Sequence, residues 1–291
     1  MEWTESLKRA INYIEQHLLD DVGADEVADE IYMSSFYFQK GFKLMTGYTV
    51  GEYIRYRRLY MAALDVISGR TKVIDLAYKY SYDTPESFSK AFGRFHGVTP
   101  AQLKGDSRKV RTFLPLTITV TVQGGNSMNY VVEKMDAMTV IGYDRIFSFE
   151  TSYQEIPQFW SEFVGNCTAK KYPSDVQNVI EECKIGEYAV CVDDVRDEKS
   201  FRYIIAGKYD GQAVPEGMKL YEIPALEWAK FKCLGPLPAS LQTVNTQVFK
   251  EWLPGNPDYE IATGINIEWY SLGDSSAHDY ESGIWLPVKR K

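Results

Sequence analysis

The sequence predicts a multidomain chain in two parts: an all-α part made of two helix-turn-helix units, then an α+β part in which one set of strands and a helix is used twice. Three observations carry this reading. Phe38, Phe42, Gly47 and Thr49 recur fifty residues later as Phe88, Phe92, Gly97 and Thr99, with Lys40 answered by Lys90. A repeat that short is one supersecondary unit used twice. Each copy follows a shorter helical pattern, Val27-Ala28 with Ile31 before the first and Leu76-Ala77 with Tyr80 before the second, which is the layout of two helices joined by a tight turn. Beyond residue 106 the pattern changes to short β-branched and aromatic runs.

At 291 residues and 45 % hydrophobic, the chain can bury two cores. Its first residues, Met1-Glu2-Trp3-Thr4-Glu5, lack a positive leader, and no apolar run is of membrane-spanning length, so a soluble, cytoplasmic protein without a membrane partner is expected. Cys167, Cys183, Cys191 and Cys233 show no CxxC pairing and are read as reduced core thiols. His17, His96 and His278 are scattered, so no metal site and no cofactor are expected. The net charge of -8 is uneven: residues 1–110 hold 15 basic and 15 acidic side chains, and residues 111–291 hold 17 against 25. Lys40, Lys43, Arg55, Arg57 and Arg58 form a stretch broken only by Glu52, so the first part keeps a basic face despite the overall sign.

Leu7, Ala10, Ile11, Ile14 and Leu18 keep helical spacing over residues 5–19, and a short helix follows at about 24–31. Ser34 or Ser35 is a candidate N-cap for a helix over 35–46. There Phe38 and Phe42 share one face and leave Phe36, Gln39, Lys40 and Lys43 on the other. Glutamine suits adenine, lysine suits guanine or phosphate, and an apolar ring suits a thymine methyl; the plain alternative is a solvated helix face. A long helix over 50–67 closes at Gly69. Thr84 before Pro85 is a strong helix start. Phe88, Ala91, Phe92 and Phe95 then form the buried stripe, with Glu86, Lys90, Gly93 and Arg94 outward.

The first hundred residues, from Glu52-Tyr53-Ile54-Arg55 and Arg57-Arg58-Leu59 through Asp75-Leu76-Ala77 to Phe92-Gly93-Arg94-Phe95-His96-Gly97-Val98-Thr99-Pro100, resemble the DNA-binding domain of the AraC/XylS transcription-regulator family. The resemblance implies double-stranded DNA as a partner, RNA polymerase as a protein partner, and activation as the commoner mode. It places Phe36, Gln39, Lys40 and Lys43 in one major-groove segment and Glu86, Ser87 and Lys90, with Arg94 on the same outward side, in the next. Lysine lacks the planar fork of arginine, and Glu86 repels phosphate unless it accepts from cytosine. The first helix is therefore expected to dominate specificity.

The expected boundary falls near 106, with residues 107–128 a linker or arm and 129–291 a second domain. The alternating run Thr117–Val122 is either a strand of that domain or an ordered arm, and Gln123–Ser127 is a flexible stretch. Strand patterns follow near 130–133, 139–142, 188–192, 201–205, 219–223, 229–231, 258–261 and 266–270, and each round holds one helix, near 153–165 and 240–252. Trp252-Leu253-Pro254, Glu268-Trp269-Tyr270 and Trp285-Leu286-Pro287-Val288 make this half similar to the gyrase-inhibitor-like effector-binding domain, and the whole layout resembles the Rob type of regulator. That resemblance implies two pseudo-symmetric βαββ units around an aromatic cleft, often with a carboxylate, that takes an amphipathic or cationic small molecule. Glu268 is the candidate carboxylate, and Trp160, Tyr188, Trp228, Trp269 and Tyr270 are candidate walls, although large rings also simply fill cores. Alternation puts Glu268 and Tyr270 on one sheet face and Trp269 on the other. Two other functions stay open from sequence, hydrolysis of a small molecule in that cleft and a protein-interaction module. No Ser-His-Asp or Cys-His arrangement supports catalysis, and no catalytic residue is assigned.

Overall fold

The computed structural model describes residues 3–69, 71–105, 107–118, 128–195 and 199–291. It divides by compactness into two units, residues 2–33 with 46–121 and residues 34–45 with 122–291. Helices in the first stretch of chain are α1 (Trp3–Gln16), α2 (Ala24–Glu30), α3 (Ser35–Thr46), α4 (Val50–Ser68), α5 (Val73–Lys79), α6 (Pro85–His96) and α7 (Pro100–Gly105). They follow the helical spacing closely, except that α1 stops at Gln16, short of the expected residue 19.

The fifty-residue repeat is punctuation as well as core. Gly47 and Gly97 end α3 and α6 at φ of 81° and 75°, left-handed backbone that only glycine adopts without strain. Thr49 then caps α4, accepting from the Glu52 amide at 3.1 Å, while Glu52 accepts from the Thr49 amide at 2.8 Å. Thr99 and Gln102 repeat the box, with the Thr99 amide donating to Gln102 at 2.9 Å. The expected cap of α6 is present too, Thr84 accepting from the Ser87 amide at 3.1 Å with Pro85 in the first turn.

In the helical unit, Leu59, Ala63, Leu76, Phe88, Phe92 and Phe95 pack in one core. Beside it, Arg57 is 5 % exposed at its side chain and forks onto Glu15, at 2.8 and 2.7 Å, while Tyr53 donates to the same carboxylate at 2.6 Å. Arg57 also donates to the Phe113 carbonyl, and the Leu116 amide donates to the Tyr53 hydroxyl at 3.3 Å. His96 accepts from the Arg111 amide at Nδ1. Residues 110–116 are thus an extended arm held against α1, α4 and α6. Most of the Thr117–Val122 run and all of Gln123–Ser127 lie outside the described residues.

The second unit is built on β1 (Tyr130–Met135), β2 (Met138–Ser148), α8 (Ser152–Thr168), α9 (Ser174–Glu182), β3 (Tyr188–Val192), β4 (Ser200–Lys208), β5 (Lys219–Ile223), β6 (Leu226–Leu234), α10 (Ala239–Gln247), β7 (Tyr259–Ile261), β8 (Ile265–Tyr270) and β9 (Glu281–Arg290). The strands form one antiparallel sheet in the order β1-β6-β9-β8-β3-β4-β2-β5, with β7 added on β9. Exchanging β1 with β5, β2 with β6, β3 with β8 and β4 with β9 turns this order into its own reverse. The two halves are therefore related by a pseudo-dyad between β3 and β8, and each βαββ unit lends its leading strand to the other. α10 continues as a wider turn, Val248–Trp252, which carries Phe249 and Trp252 inward. The sequence reading had no counterpart for α9, whose Val176, Val179 and Ile180 are buried at helical spacing.

Arg57→Ala would leave the Glu15 carboxylate and the Phe113 carbonyl without their shared donor. Urea denaturation of the full chain is expected to show a loss of about 3 kcal/mol in the helical transition.

Candidate ligand cleft and reading helices

Antiparallel pairing of β3 with β8 sets Ala189 opposite Glu268 and Cys191 opposite Asn266. Alternation then turns Ala189, Cys191, Asn266, Glu268 and Tyr270 to one face, the face that α8 and α10 cover. Next to them, Tyr203 on β4 pairs with Cys191. The Tyr203 and Tyr270 hydroxyls both donate to one Glu268 oxygen, at 2.9 and 2.8 Å. Trp160 of α8 donates its indole N–H to the Tyr203 oxygen at 2.9 Å, and its ring stands edge-on to Tyr270 with centroids 5.2 Å apart. Burial, and after it the neighbouring Glu268 charge, drives both phenols well above the usual tyrosine range, so they remain protonated donors. Burial and then the same charge push Tyr153 up to about 12. Among the described residues no lysine or arginine pairs with Glu268.

Of the six ligand-site residues expected from sequence, the structure brings together Glu268, Trp160 and Tyr270. It does not bring Tyr188, Trp228 and Trp269 to them, because strand alternation turns all three to the opposite face. Tyr188 packs on Trp285 with centroids 5.8 Å apart, Trp228 is fully buried among Val140, Val190 and Ile267, and Trp269 donates to Glu187 at 3.4 Å. Tyr203, which completes the cluster, was missed. Its signal was the run Phe201-Arg202-Tyr203, which puts two rings on one strand face.

The two helices expected to read DNA differ sharply. On α6, Glu86, Ser87, Lys90 and Arg94 are all exposed. On α3, Phe36 and Gln39 are only 1 % and 7 % exposed, and Lys40 and Lys43 are half-buried. The Phe36 ring lies 5.9 Å from Phe149 and 5.5 Å from Phe201. The next residue, Tyr37, donates its hydroxyl to the Ile265 carbonyl at 2.6 Å and faces Phe249 at 6.4 Å. Lys43 donates to the Phe149 carbonyl at 3.4 Å and sits 5.7 Å from the Tyr153 ring. Gln39 donates to Ser35 at 3.1 Å. The expected cap is replaced: the Ser34 hydroxyl donates to Asp193 at 3.2 Å rather than accepting from the helix, and the Phe36 amide donates to the same Asp193 oxygen at 3.1 Å. A carboxylate satisfies a first-turn amide and the positive helix end better than a serine does.

Comparison with known proteins gives two family matches. The family described as integron-associated effector binding protein matches residues 131–288, and a helix-turn-helix domain matches residues 27–105. The regulatory protein SoxS of Salmonella typhimurium is 31 % identical over 104 residues, 36 % of this chain and 97 % of SoxS. The transcriptional regulator Rob of the same organism is 30 % identical over 107 residues, which are 37 % of each chain. An integron cassette protein from the mobile metagenome of Vibrio cholerae shares 14 % identity at a TM-score of 0.40, over 55 % of this chain and 95 % of its own. No helix among the described residues is long and apolar enough to cross a membrane. From the paired helix-turn-helix repeat, the two family matches and the likeness to SoxS, the chain belongs to the AraC-type DNA-binding transcription regulators and carries behind that domain an effector-binding domain of the integron-associated family.

Proposed function

We propose that this regulator, a cytoplasmic activator, senses an amphipathic or cationic small molecule in the cleft of residues 129–291 and reads DNA through the domain of residues 1–106. The observation that carries the ligand class is Glu268: a carboxylate held by two phenols, with no cation paired to it among the described residues, in a wall of aromatic rings. Fixed negative charge beside aromatic faces attracts an organic cation by direct charge and by cation–π contact. Glu268 supplies the charge, and Trp160, Tyr203 and Tyr270 supply donors and faces. Tyr188, Trp228 and Trp269 act behind the sheet as core and have no part in binding.

On DNA, Phe36, Gln39, Lys40 and Lys43 of α3 read one major-groove segment, and Glu86, Ser87, Lys90 and Arg94 of α6 meet the next. Gln39 is the base reader of this set, because its amide can pair in two places with adenine, whereas Lys90 offers a point charge to phosphate or guanine. RNA polymerase is the protein partner through which activation runs.

Two measurements test this. A lipophilic quaternary ammonium or phosphonium ion is expected to raise the melting temperature of the full chain saturably, and Glu268→Gln is expected to weaken its binding roughly tenfold; equal binding by the variant would remove the charge from the site. A duplex enriched by this chain from a random-sequence pool is expected to bind with an affinity that falls steeply with salt. There Gln39→Ala should cost about 1–3 kcal/mol at one base position, while Lys90→Ala lowers affinity evenly across sequences and reduces the salt slope by about one. A larger loss for Lys90→Ala would reverse the ranking.

A further inference from the structure

We propose that α3 is the resident occupant of the effector cleft, so that docking of α3 in the cleft and reading of DNA by α3 exclude each other, and an effector raises DNA affinity by taking the place of α3. This rests on the DNA-reading and ligand-binding assignments above. It adds the coupling between them.

The face of α3 that would meet bases is the face packed into the cleft. Phe36 inserts its ring against Phe149 and Phe201, and Tyr37 inserts its own toward Phe249. Lys43 stands near the Tyr153 ring, and Lys40 stands 5.6 Å from the ring of Phe36 that enters the cleft. Two rings and two ammonium groups are the chemistry of an aromatic cation, so the helix presents to the cleft an internal copy of the ligand class. On the equivalent face of α6, Glu86, Ser87, Lys90 and Arg94 are exposed.

The seat is also shaped for this helix. Asp193 accepts from both the Ser34 hydroxyl and the Phe36 amide, so it supplies the N-terminal cap of α3 from the loop after β3. Beside it, a methyl group on Gly264 would come within 2.7 Å of the Asp193 Cβ and 2.8 Å of the Ser34 oxygen, so only glycine admits the start of α3 there. One thing does not fit the helix. Asn266 is fully buried on the cleft floor, and neither polar atom of its side-chain amide has a partner, a state that native proteins seldom tolerate without a role. An effector with a polar group can satisfy Asn266, which α3 does not, and differential affinity of this kind is what shifts an equilibrium between docked and released states. By linkage, DNA that captures released α3 must strengthen effector binding in the same proportion.

A cysteine pair tests the exclusion directly in the full chain. Ser34→Cys with Asp193→Cys, in a Cys167→Ser background, is expected to cross-link on oxidation, as read by peptide mass. The oxidised chain should lose at least about tenfold in anisotropy-measured affinity for the pool-enriched duplex, with recovery on reduction. Oxidised and reduced chains that bind alike would overturn the proposal, and so would a pair that fails to cross-link. If the reduced chain itself does not bind DNA, the DNA-reading assignment falls and the coupling falls with it. From the other side, Asp193→Ala removes the cap and Gly264→Val fills the seat, and neither alters a residue of α3. Each is expected to raise DNA affinity without effector, Asp193→Ala by roughly fivefold, and to shrink the further gain on adding a lipophilic ammonium ion. Unchanged DNA affinity in both variants would also overturn the proposal.

Discussion

β3 and β8 run antiparallel across the pseudo-dyad with Ala189 opposite Glu268, and the rest of the effector-binding unit is laid outward from that pair. Because side chains alternate along a strand, this one register decides which residues meet the cleft. It puts Glu268 between Tyr203 and Tyr270 and sends Trp269 to the other face. A slip of one residue would exchange the two sets, replacing a carboxylate clamped by two phenols with an indole. The exchange of β1 and β5 between halves fixes the register further, since each unit cannot complete its sheet without a strand from the other. Glu268 is consequently held near the centre of the described sheet rather than on a loop.

Around that carboxylate the side chains are arranged as donors rather than counter-ions. Two protonated phenols share one oxygen, and Trp160 orients one of them. Such a site lowers the cost of burying the charge without neutralising it, which keeps it attractive to a cation. On the helical side of the chain, the charge at Glu15 is treated in the opposite way. There Arg57 neutralises it with a forked contact, and the pair carries the Phe113 carbonyl of the arm besides. One carboxylate is closed by an ion pair; the other is left with neutral donors.

Much of this was legible in the residues. The repeat gave both helix-turn-helix units, and its Gly and Thr members proved to be the stop of one helix and the cap of the next. Alternation in Glu268-Trp269-Tyr270 put Tyr270 beside the carboxylate and already set Trp269, named as a wall, on the other face. Tyr188 and Trp228 were misplaced because an aromatic ring in a strand pattern reads the same on either face. Tyr203 was passed over because its role depends on a strand that is its neighbour only in space. The missing α9 had a readable stripe of Val176, Val179 and Ile180, preceded by Pro173-Ser174, but it is short and lies in a polar stretch.

Sequence by itself determined the local events: where helices start and stop, which residues share a face, and that two unlike halves are each built by duplication. These follow from contacts within about one turn or one strand, where spacing is the whole of the physics. Only the tertiary structure decided which face is buried and by what. The amphipathic pattern of α3 assigns Phe38 and Phe42 inward and Phe36, Gln39, Lys40 and Lys43 outward, yet Phe36 and Gln39 are buried as well. The partners of Phe36 and its neighbour Tyr37, namely Phe149, Asp193, Phe201 and Ile265, lie more than a hundred residues away in the chain. A helix whose polar face carries an aromatic ring can be solvated, pressed into a DNA groove or seated in an aromatic cleft with equal local propensity. Long-range complementarity of charge, ring and cap makes the choice.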